Sequence, residues 1–168
     1  ANNAVYGNID LKEAFRVSSN VVFGTLALEL GNDKLKATAE AYGFNKSIET
    51  NGFTLENSRF PTLKPYEKGS IAQTGIGQSS ILATPMEMAL VSSTIANGGK
   101  MMEPTLVSKV IDKDGNTVKT VEPKMLNQVI SANNAAIVKD YMKNLVDSKI
   151  DDTWSYFGGT DAAGKTGT

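Results

Sequence analysis

The clearest pattern of apolar and polar positions lies over residues 131–147. Its apolar residues recur at the three- and four-residue spacing of one helix face, and polar residues fill the positions between them. Ser131 stands where an N-cap is expected. The pattern therefore predicts a helix from Ser131 to about Asp147 that packs on the core through one stripe: Ile137, Val138, Tyr141, Met142, Leu145 and Val146.

Residues 84–87, Thr-Pro-Met-Glu, are typical of a helix start. Threonine is a favoured N-cap, proline fits the first helical position, and glutamate at the third can return a hydrogen bond to the cap. We expect this helix to end before Gly98-Gly99. Its core-facing residues are predicted to be Met86, Ala89, Leu90 and Ile95.

Capping residues and glycines divide the N-terminal part into shorter predicted helices. Asp10 and Glu13 form a capping-box pattern, and Asn32 is a second candidate N-cap. Gly31 and Gly43 are typical C-terminal stops. The helices are expected to span residues 10–17, 19–30 and 33–42.

Two further stretches are predicted not to be helical. Residues 44–69 mix glycine, proline and polar residues, which indicates a long loop. Residues 105–111 and 117–121 flank an Asp-Gly turn and predict a β-hairpin. A calcium loop over the same aspartates is disfavoured, because its glycine stands at the fourth place rather than the sixth. Together these elements predict a mainly α fold with a small β component.

Composition narrows the function classes. The 168 residues are 40% hydrophobic and carry a net charge of −1, so one core is expected and no basic surface argues for nucleic acid. There is no apolar run long enough to span a membrane and no signal-peptide pattern at the start. Cysteine and histidine are both absent, so acid–base chemistry would fall to lysine, carboxylate or tyrosine. No metal and no cofactor is predicted.

The last seven residues concentrate the candidate chemistry. Residues 162–168, Ala-Ala-Gly-Lys-Thr-Gly-Thr, hold one cation, two hydroxyls and two glycines, a combination suited to a small anion. Residues 159–166 also fit the G-x-x-x-x-G-K-T pattern of a phosphate-binding loop. That loop needs a strand before it and a helix after it, and neither is indicated here. The favoured alternative is a strand that binds a carboxylate through Lys165.

Ser18-Ser19-Asn20 allows two interpretations. Serine and asparagine are the commonest N-caps, so the tripeptide on its own is best explained as a helix cap. Combined with Lys165-Thr166-Gly167, however, it resembles two of the three motifs of the penicillin-recognising serine acyltransferases, which comprise the penicillin-binding proteins and the serine β-lactamases.

The resemblance extends over nearly the whole chain. Residues 11–23 resemble the serine-x-asparagine helix of class B penicillin-binding proteins, and residues 77–99 resemble their Gly-Gln … Thr-Pro-helix-Ala-Asn-Gly-Gly segment. The middle residue of Ser18-Ser19-Asn20 is not the aspartate common in class A β-lactamases, and the Glu-x-x-Leu-Asn signature of those enzymes is absent. The resemblance therefore implies the helical part of a β-lactamase/transpeptidase-like α+β fold, truncated at both ends. Residues 1–168 would then form part of a transpeptidase domain, with the active-site strand beginning near 160–168.

The resemblance also implies a function and a set of site residues. The parent enzyme would be a serine D-Ala-D-Ala transpeptidase or carboxypeptidase that cross-links peptidoglycan stem peptides and binds β-lactams. Ser18, Asn20 and Lys165 would be catalytic, and Thr166, Gly167 and Thr168 would bind substrate. No serine in the chain has lysine three residues later, so the serine-x-x-lysine nucleophile is absent and the chain alone is expected to be inactive.

Partners and location follow from the same resemblance. The expected partners are stem peptides, β-lactams and the remainder of the transpeptidase domain. The parent would lie on the extracytoplasmic face of the bacterial membrane, held by an N-terminal anchor outside this chain. The alternatives are a penicillin-sensor domain, a serine β-lactamase, a nucleotide-binding protein and a helical structural domain with chance motifs.

Overall fold

The computed structural model describes residues 4–167 and confirms a mainly helical chain with few strands. We number the elements in chain order. The helices are α1 (Leu11–Arg16), α2 (Asn20–Tyr42), α3 (Lys68–Thr74), α4 (Pro85–Ala96) and α5 (Ala132–Ile150). The strands are β1 (Lys100–Met102), β2 (Lys109–Ile111), β3 (Thr117–Thr120) and β4 (Met125–Gln128), and a 3₁₀ turn spans Ser155–Phe157.

Side-chain caps begin four of the helices as the sequence predicts. The Asp10 carboxylate accepts the Glu13 N–H of α1 at 2.8 Å, and the Thr84 hydroxyl accepts the Glu87 N–H of α4 at 3.1 Å. Ser19 caps α2 and Ser131 caps α5 in the same way. Each cap provides an acceptor for an N–H that has no partner inside its own helix.

The second and third predicted helices form one element, α2, which is broken at Gly31. Gly31 has φ 76° and ψ 163°, a conformation outside the helical region that favours glycine. Asn32 was predicted to be an N-cap, and this prediction is wrong. Its amide is buried, donates to the Pro61 carbonyl at 3.2 Å and accepts the Leu63 N–H at 2.9 Å. Asn32 therefore fastens the predicted loop to α2.

The strands form two antiparallel pairs. The predicted hairpin is confirmed as β2 with β3, although it is shorter than expected. The Asp112 carboxylate accepts the N–H groups of Asp114 and Asn116, each at 2.9 Å, and closes the turn. Within residues 4–167 the structure shows no group of three or more His, Cys, Asp or Glu residues that could hold a metal ion. The pair β1 with β4 was missed, as was α3, because each is short and lacks a periodic pattern.

The packed face of each long amphipathic helix is narrower than its sequence pattern predicts. In α5, Leu145 and Val146 are buried but Ile137 is 42% exposed. In α4, Met86 and Ala89 of the predicted face are exposed, whereas the buried positions are Glu87, Leu90 and Thr94. Contacts with α5 and β1, and the approach of Gly43 to the Glu87 side chain, decide which face of α4 is covered.

The strand expected near 160–168 is not formed over its described part, residues 160–167. This segment lies against α5, where the Gly164 N–H donates to the Met142 carbonyl at 3.3 Å. A strand requires the edge of a neighbouring strand, and the neighbour here is a helix. Across the described residues, no helix combines the length and the apolar content that crossing a membrane would take.

Glu87 makes folding of the chain sensitive to pH. The residue is 1% exposed, its Oε1 has no hydrogen-bond partner among the described atoms, and burial raises the pKa of its carboxyl group. A carboxyl whose pKa is higher in the folded state binds more protons there than in the unfolded chain. Stability is then highest below the unfolded value of 4.5 and falls as pH rises towards the folded value.

We therefore expect Glu87→Gln to be more stable than the parent at pH 8 and similar to it at pH 4. Glutamine has the same shape and no ionisation to disfavour. Urea unfolding of both proteins at the two pH values measures the difference. A stability difference between them that does not change with pH would contradict the burial of an ionisable carboxyl at this position.

Candidate active site

The turn between α1 and α2 holds Ser18 close to Lys165, near the C-terminal end of the chain. Ser18 has φ 54°, in the left-handed region that a non-glycine residue rarely adopts. Backbone hydrogen bonds hold the turn: Ser18 N–H donates to the Phe15 carbonyl at 3.2 Å, and Ser19 N–H donates to the Ala14 carbonyl at 2.9 Å. The tripeptide was interpreted either as a helix cap or as part of a site, and its two serines differ in this respect. Ser19 caps α2, whereas the Ser18 hydroxyl is directed towards Lys165.

Lys165 meets Ser18 although 147 residues separate them. Its Nζ donates to the Ser18 Oγ at 2.6 Å. The same ammonium also donates to the carbonyl and the hydroxyl of Thr166, at 3.0 and 3.1 Å. Two of the sequence motifs are therefore joined by a direct hydrogen bond.

The Lys165 ammonium lies apart from the acidic side chains that the structure describes. Within the described part of the chain, no Asp or Glu side chain lies within 4.0 Å of its Nζ. Partial burial lowers the pKa of Lys165, because removing water disfavours the charged form. The site thus combines a cation available to an anionic ligand with an adjacent hydroxyl that can both donate and accept a proton.

The other predicted site residues lie along the same two segments. Asn20 is the first residue of α2, two positions after Ser18, and is exposed. Thr166 contacts the ammonium, as stated above. A Cβ atom built on Gly167 meets nothing within 4 Å, so the face beside it is open. Thr168 lies outside the described residues.

A ring that the sequence analysis did not identify completes the site. Phe15 of α1 places its aromatic face under the ammonium, with 5.7 Å between Lys165 Nζ and the ring centroid. The sequence could have indicated this, because Phe15 stands three residues before Ser18 on a capped helix, and residues three positions apart lie close together.

A separate groove on the described surface lies away from Ser18 and Lys165. It has a volume of about 660 Å³ and runs between α2 and residues 62–71. None of its lining residues is a predicted site residue. The groove lies at the break in α2, and its wall is partly apolar because Leu28, Leu63 and Ile71 line it. We therefore place the candidate site where Ser18 and Lys165 meet and not in this groove.

Comparison with known families decides the class of protein. A family model described as "Penicillin binding protein transpeptidase domain" matches residues 1–168. The chain belongs to this family.

Relatives of this transpeptidase-family chain agree with the assignment. It is 32% identical over 160 residues to peptidoglycan D,D-transpeptidase PbpA of Mycolicibacterium smegmatis, an alignment that covers 95% of this chain and 32% of that protein. The chain thus spans about a third of the length of this relative and about a quarter of penicillin-binding protein 3 of Bacillus subtilis. The predicted resemblance to class B members is confirmed.

Solved structures confirm the predicted fold class. The crystallised D,D-transpeptidase domain from Eggerthella lenta superimposes with a TM-score of 0.82 at 34% identity, covering 99% of this chain and 43% of that one. Penicillin-binding protein A of M. tuberculosis, solved as a ceftriaxone acyl-enzyme complex, gives a TM-score of 0.85 at 28% identity, covering 95% of this chain and 35% of that one.

Proposed function

We propose that this chain supplies the carboxylate-binding and proton-transfer groups of a peptidoglycan D,D-transpeptidase that also binds β-lactams. The observation that carries the proposal is the 2.6 Å contact between Lys165 Nζ and Ser18 Oγ. Membership of the family and the relative named a peptidoglycan D,D-transpeptidase support the substrate class. The ceftriaxone acyl-enzyme complex of M. tuberculosis penicillin-binding protein A supports β-lactam binding.

Lys165 and Thr166 would bind the terminal carboxylate of the donor stem peptide, or the carboxylate of a β-lactam. Because the Lys165 ammonium has no Asp or Glu partner among residues 4–167, it can bind this anion without first breaking an ion pair with one of those side chains. The Thr166 hydroxyl, which lies 3.1 Å from the ammonium, would donate a second hydrogen bond to the same carboxylate. The open face at Gly167 leaves room for a ligand that lies along this segment.

Ser18 would transfer the proton. A serine in a serine-x-x-lysine segment, which this chain lacks, would attack the carbonyl carbon of the D-Ala-D-Ala bond. Its proton would pass through the Ser18 hydroxyl to the departing D-Ala amine, leaving an ester between serine and peptide. The neighbouring Lys165 ammonium favours this step, because its positive field makes the hydroxyl a better proton donor.

Asn20 and Thr168 would position the substrate around that step. The amide of Asn20 has both donor and acceptor groups, so it can hold the substrate carbonyl and the nucleophilic segment together. The Thr168 N–H would donate to the oxyanion. An amine from a neighbouring stem peptide would then release the acyl group, whereas water in its place would give carboxypeptidase activity. We assign the enzyme to the outer face of the bacterial cell membrane.

The 168-residue chain alone is expected to form no covalent adduct with a fluorescent penicillin, because no serine in it is followed by lysine three residues later. A polypeptide that joins the chain to a serine-x-x-lysine segment of the family should carry a labelled band that survives denaturation. Labelling of the chain alone would overturn the predicted absence of the nucleophile. A folded joined polypeptide that remains unlabelled would overturn the proposed function.

A further inference from the structure

Phe15 lies at the junction of three helices and the terminal segment. Its ring, on α1, packs edge-to-face with Phe23 of α2, with 6.4 Å between centroids and an interplanar angle of 75°. It also contacts Tyr141 of α5, with 6.0 Å between centroids. Neighbours on two other helices restrict the rotation of the ring, so it presents a fixed face to Lys165.

The same residue also shapes the turn that carries Ser18. The Phe15 carbonyl accepts the Ser18 N–H at 3.2 Å and supports the left-handed conformation of Ser18. The Phe15 ring lies 5.7 Å from Lys165 Nζ. One residue therefore contacts both halves of the hydrogen-bonded pair, Ser18 through its backbone and Lys165 through its side chain.

An aromatic face suits this place better than a carboxylate would. A carboxylate would attract the ammonium but neutralise it and compete with an anionic ligand. The negative face of a ring attracts a cation while leaving its charge and its N–H groups available. No Asp or Glu side chain among residues 4–167 lies within ion-pair distance of Lys165, so the ring does not duplicate an existing contact.

We propose that Phe15 is a positioning residue whose ring holds the Lys165 ammonium beside Ser18 while leaving the ammonium free to bind a carboxylate. The carboxylate-binding part of this proposal rests on the proposed function, but the contact between the Phe15 ring and the Lys165 ammonium can be tested without any substrate. A purely structural role for Phe15 would require only apolar volume at this position, and this difference makes the two roles separable.

The test is the pKa of Lys165, measured by NMR titration of ¹³C-labelled lysine side chains in the full 168-residue chain. Lys165→Arg identifies the signal. A cation–π contact stabilises the ammonium, so Phe15→Leu, which keeps apolar volume but removes the ring face, should lower the Lys165 pKa by about half a unit. Phe15→Tyr, which keeps the face, should leave it unchanged.

The matched control is Phe23→Leu, which removes a ring that packs on Phe15 without being the ring under Lys165. Leucine keeps apolar volume beside the Phe15 ring and Tyr141 still contacts that ring, so the ring should stay in place and the Lys165 pKa should be unchanged. Equal shifts in Phe15→Leu and Phe23→Leu, or no shift in Phe15→Leu, would overturn the proposal. If Phe15→Leu does not fold, Phe15→Met supplies flexible apolar volume without a ring and carries the same expectation.

Failure of this inference and failure of the proposed function give different results. An unchanged pKa in Phe15→Leu, together with penicillin labelling of the joined polypeptide, would refute only the role of Phe15. The expected shift without labelling would uphold the contact between ring and ammonium and refute the transpeptidase assignment.

Discussion

Replacing Lys165 by methionine, in a transpeptidase domain that contains this chain and a serine-x-x-lysine segment, is expected to slow acylation by penicillin about 100-fold. Methionine keeps the unbranched apolar stem and removes the charge. In the proposed function the ammonium would contribute twice, because it would bind the carboxylate of the ligand and would polarise the Ser18 hydroxyl, which lies 2.6 Å away. Loss of a charged hydrogen-bonding partner costs about 2–5 kcal/mol in a buried site, and the lower end of that range, about 100-fold in rate, applies to Lys165 because its side chain is only partly buried.

Lys143→Met is the matched control for that experiment. Lys143 is a lysine of α5 that pairs with Asp147 at 3.2 Å and Asp161 at 3.4 Å on the surface. Surface pairs of this kind contribute little, so acylation should stay at the parent rate. The second-order rate of labelling by a fluorescent penicillin measures both variants. Equal acylation rates in Lys165→Met and Lys143→Met would contradict the proposed role of Lys165 in acylation.

Gly99→Ala is expected to lower the free energy of unfolding by about 3–5 kcal/mol, at the upper end of what single substitutions do. Gly99 has φ 83°, and a Cβ atom built on it would lie 2.0 Å from the Ile130 carbonyl oxygen. The obstructing atom is backbone, so it cannot turn aside as a side chain would. Gly99 also accepts the Val129 N–H at 2.8 Å, so any shift would disturb the pairing of β1 with β4.

Gly98 is the matched control, because it has a left-handed backbone conformation but no close neighbour for an added Cβ atom. Gly98 has φ 62°, and the nearest atom to its built Cβ is 4.0 Å away. Gly98→Ala should therefore cost only the strain of a left-handed alanine, about 1–2 kcal/mol. Urea unfolding monitored by circular dichroism measures both. Equal destabilisation by the two substitutions would contradict the close approach of Ile130 to Gly99.

Local signals in the sequence predicted the helix starts well. Asp10, Thr84 and Ser131 each cap the helix they were expected to cap. A cap is a hydrogen bond between residues about three positions apart, so the sequence around it contains most of what determines it. Asn32 has the same residue type but its predicted role is wrong, because the Pro61 carbonyl and the Leu63 N–H, distant in sequence, satisfy its amide.

Predictions that depended on neighbouring elements were less accurate. The stripe on α5 extends further than the surface that its neighbours cover, so Ile137 remains exposed. Glu87 was identified only as part of a helix start, yet packing buries it almost completely. Periodicity shows which residues share a helix face, but the area that is covered depends on what packs against it.

The motifs alone determined the family and the identity of the candidate groups, because a charged side chain beside glycine and a serine near an asparagine carry their chemistry wherever the chain places them. Only the tertiary structure decided that the Ser18 hydroxyl lies within hydrogen-bond distance of Lys165 while Ser19 caps α2, and that Phe15 lies under the ammonium. The physical reason is separation along the chain. Helix caps form between neighbours, whereas a contact across 147 residues exists only once α1, α2 and α5 have packed together.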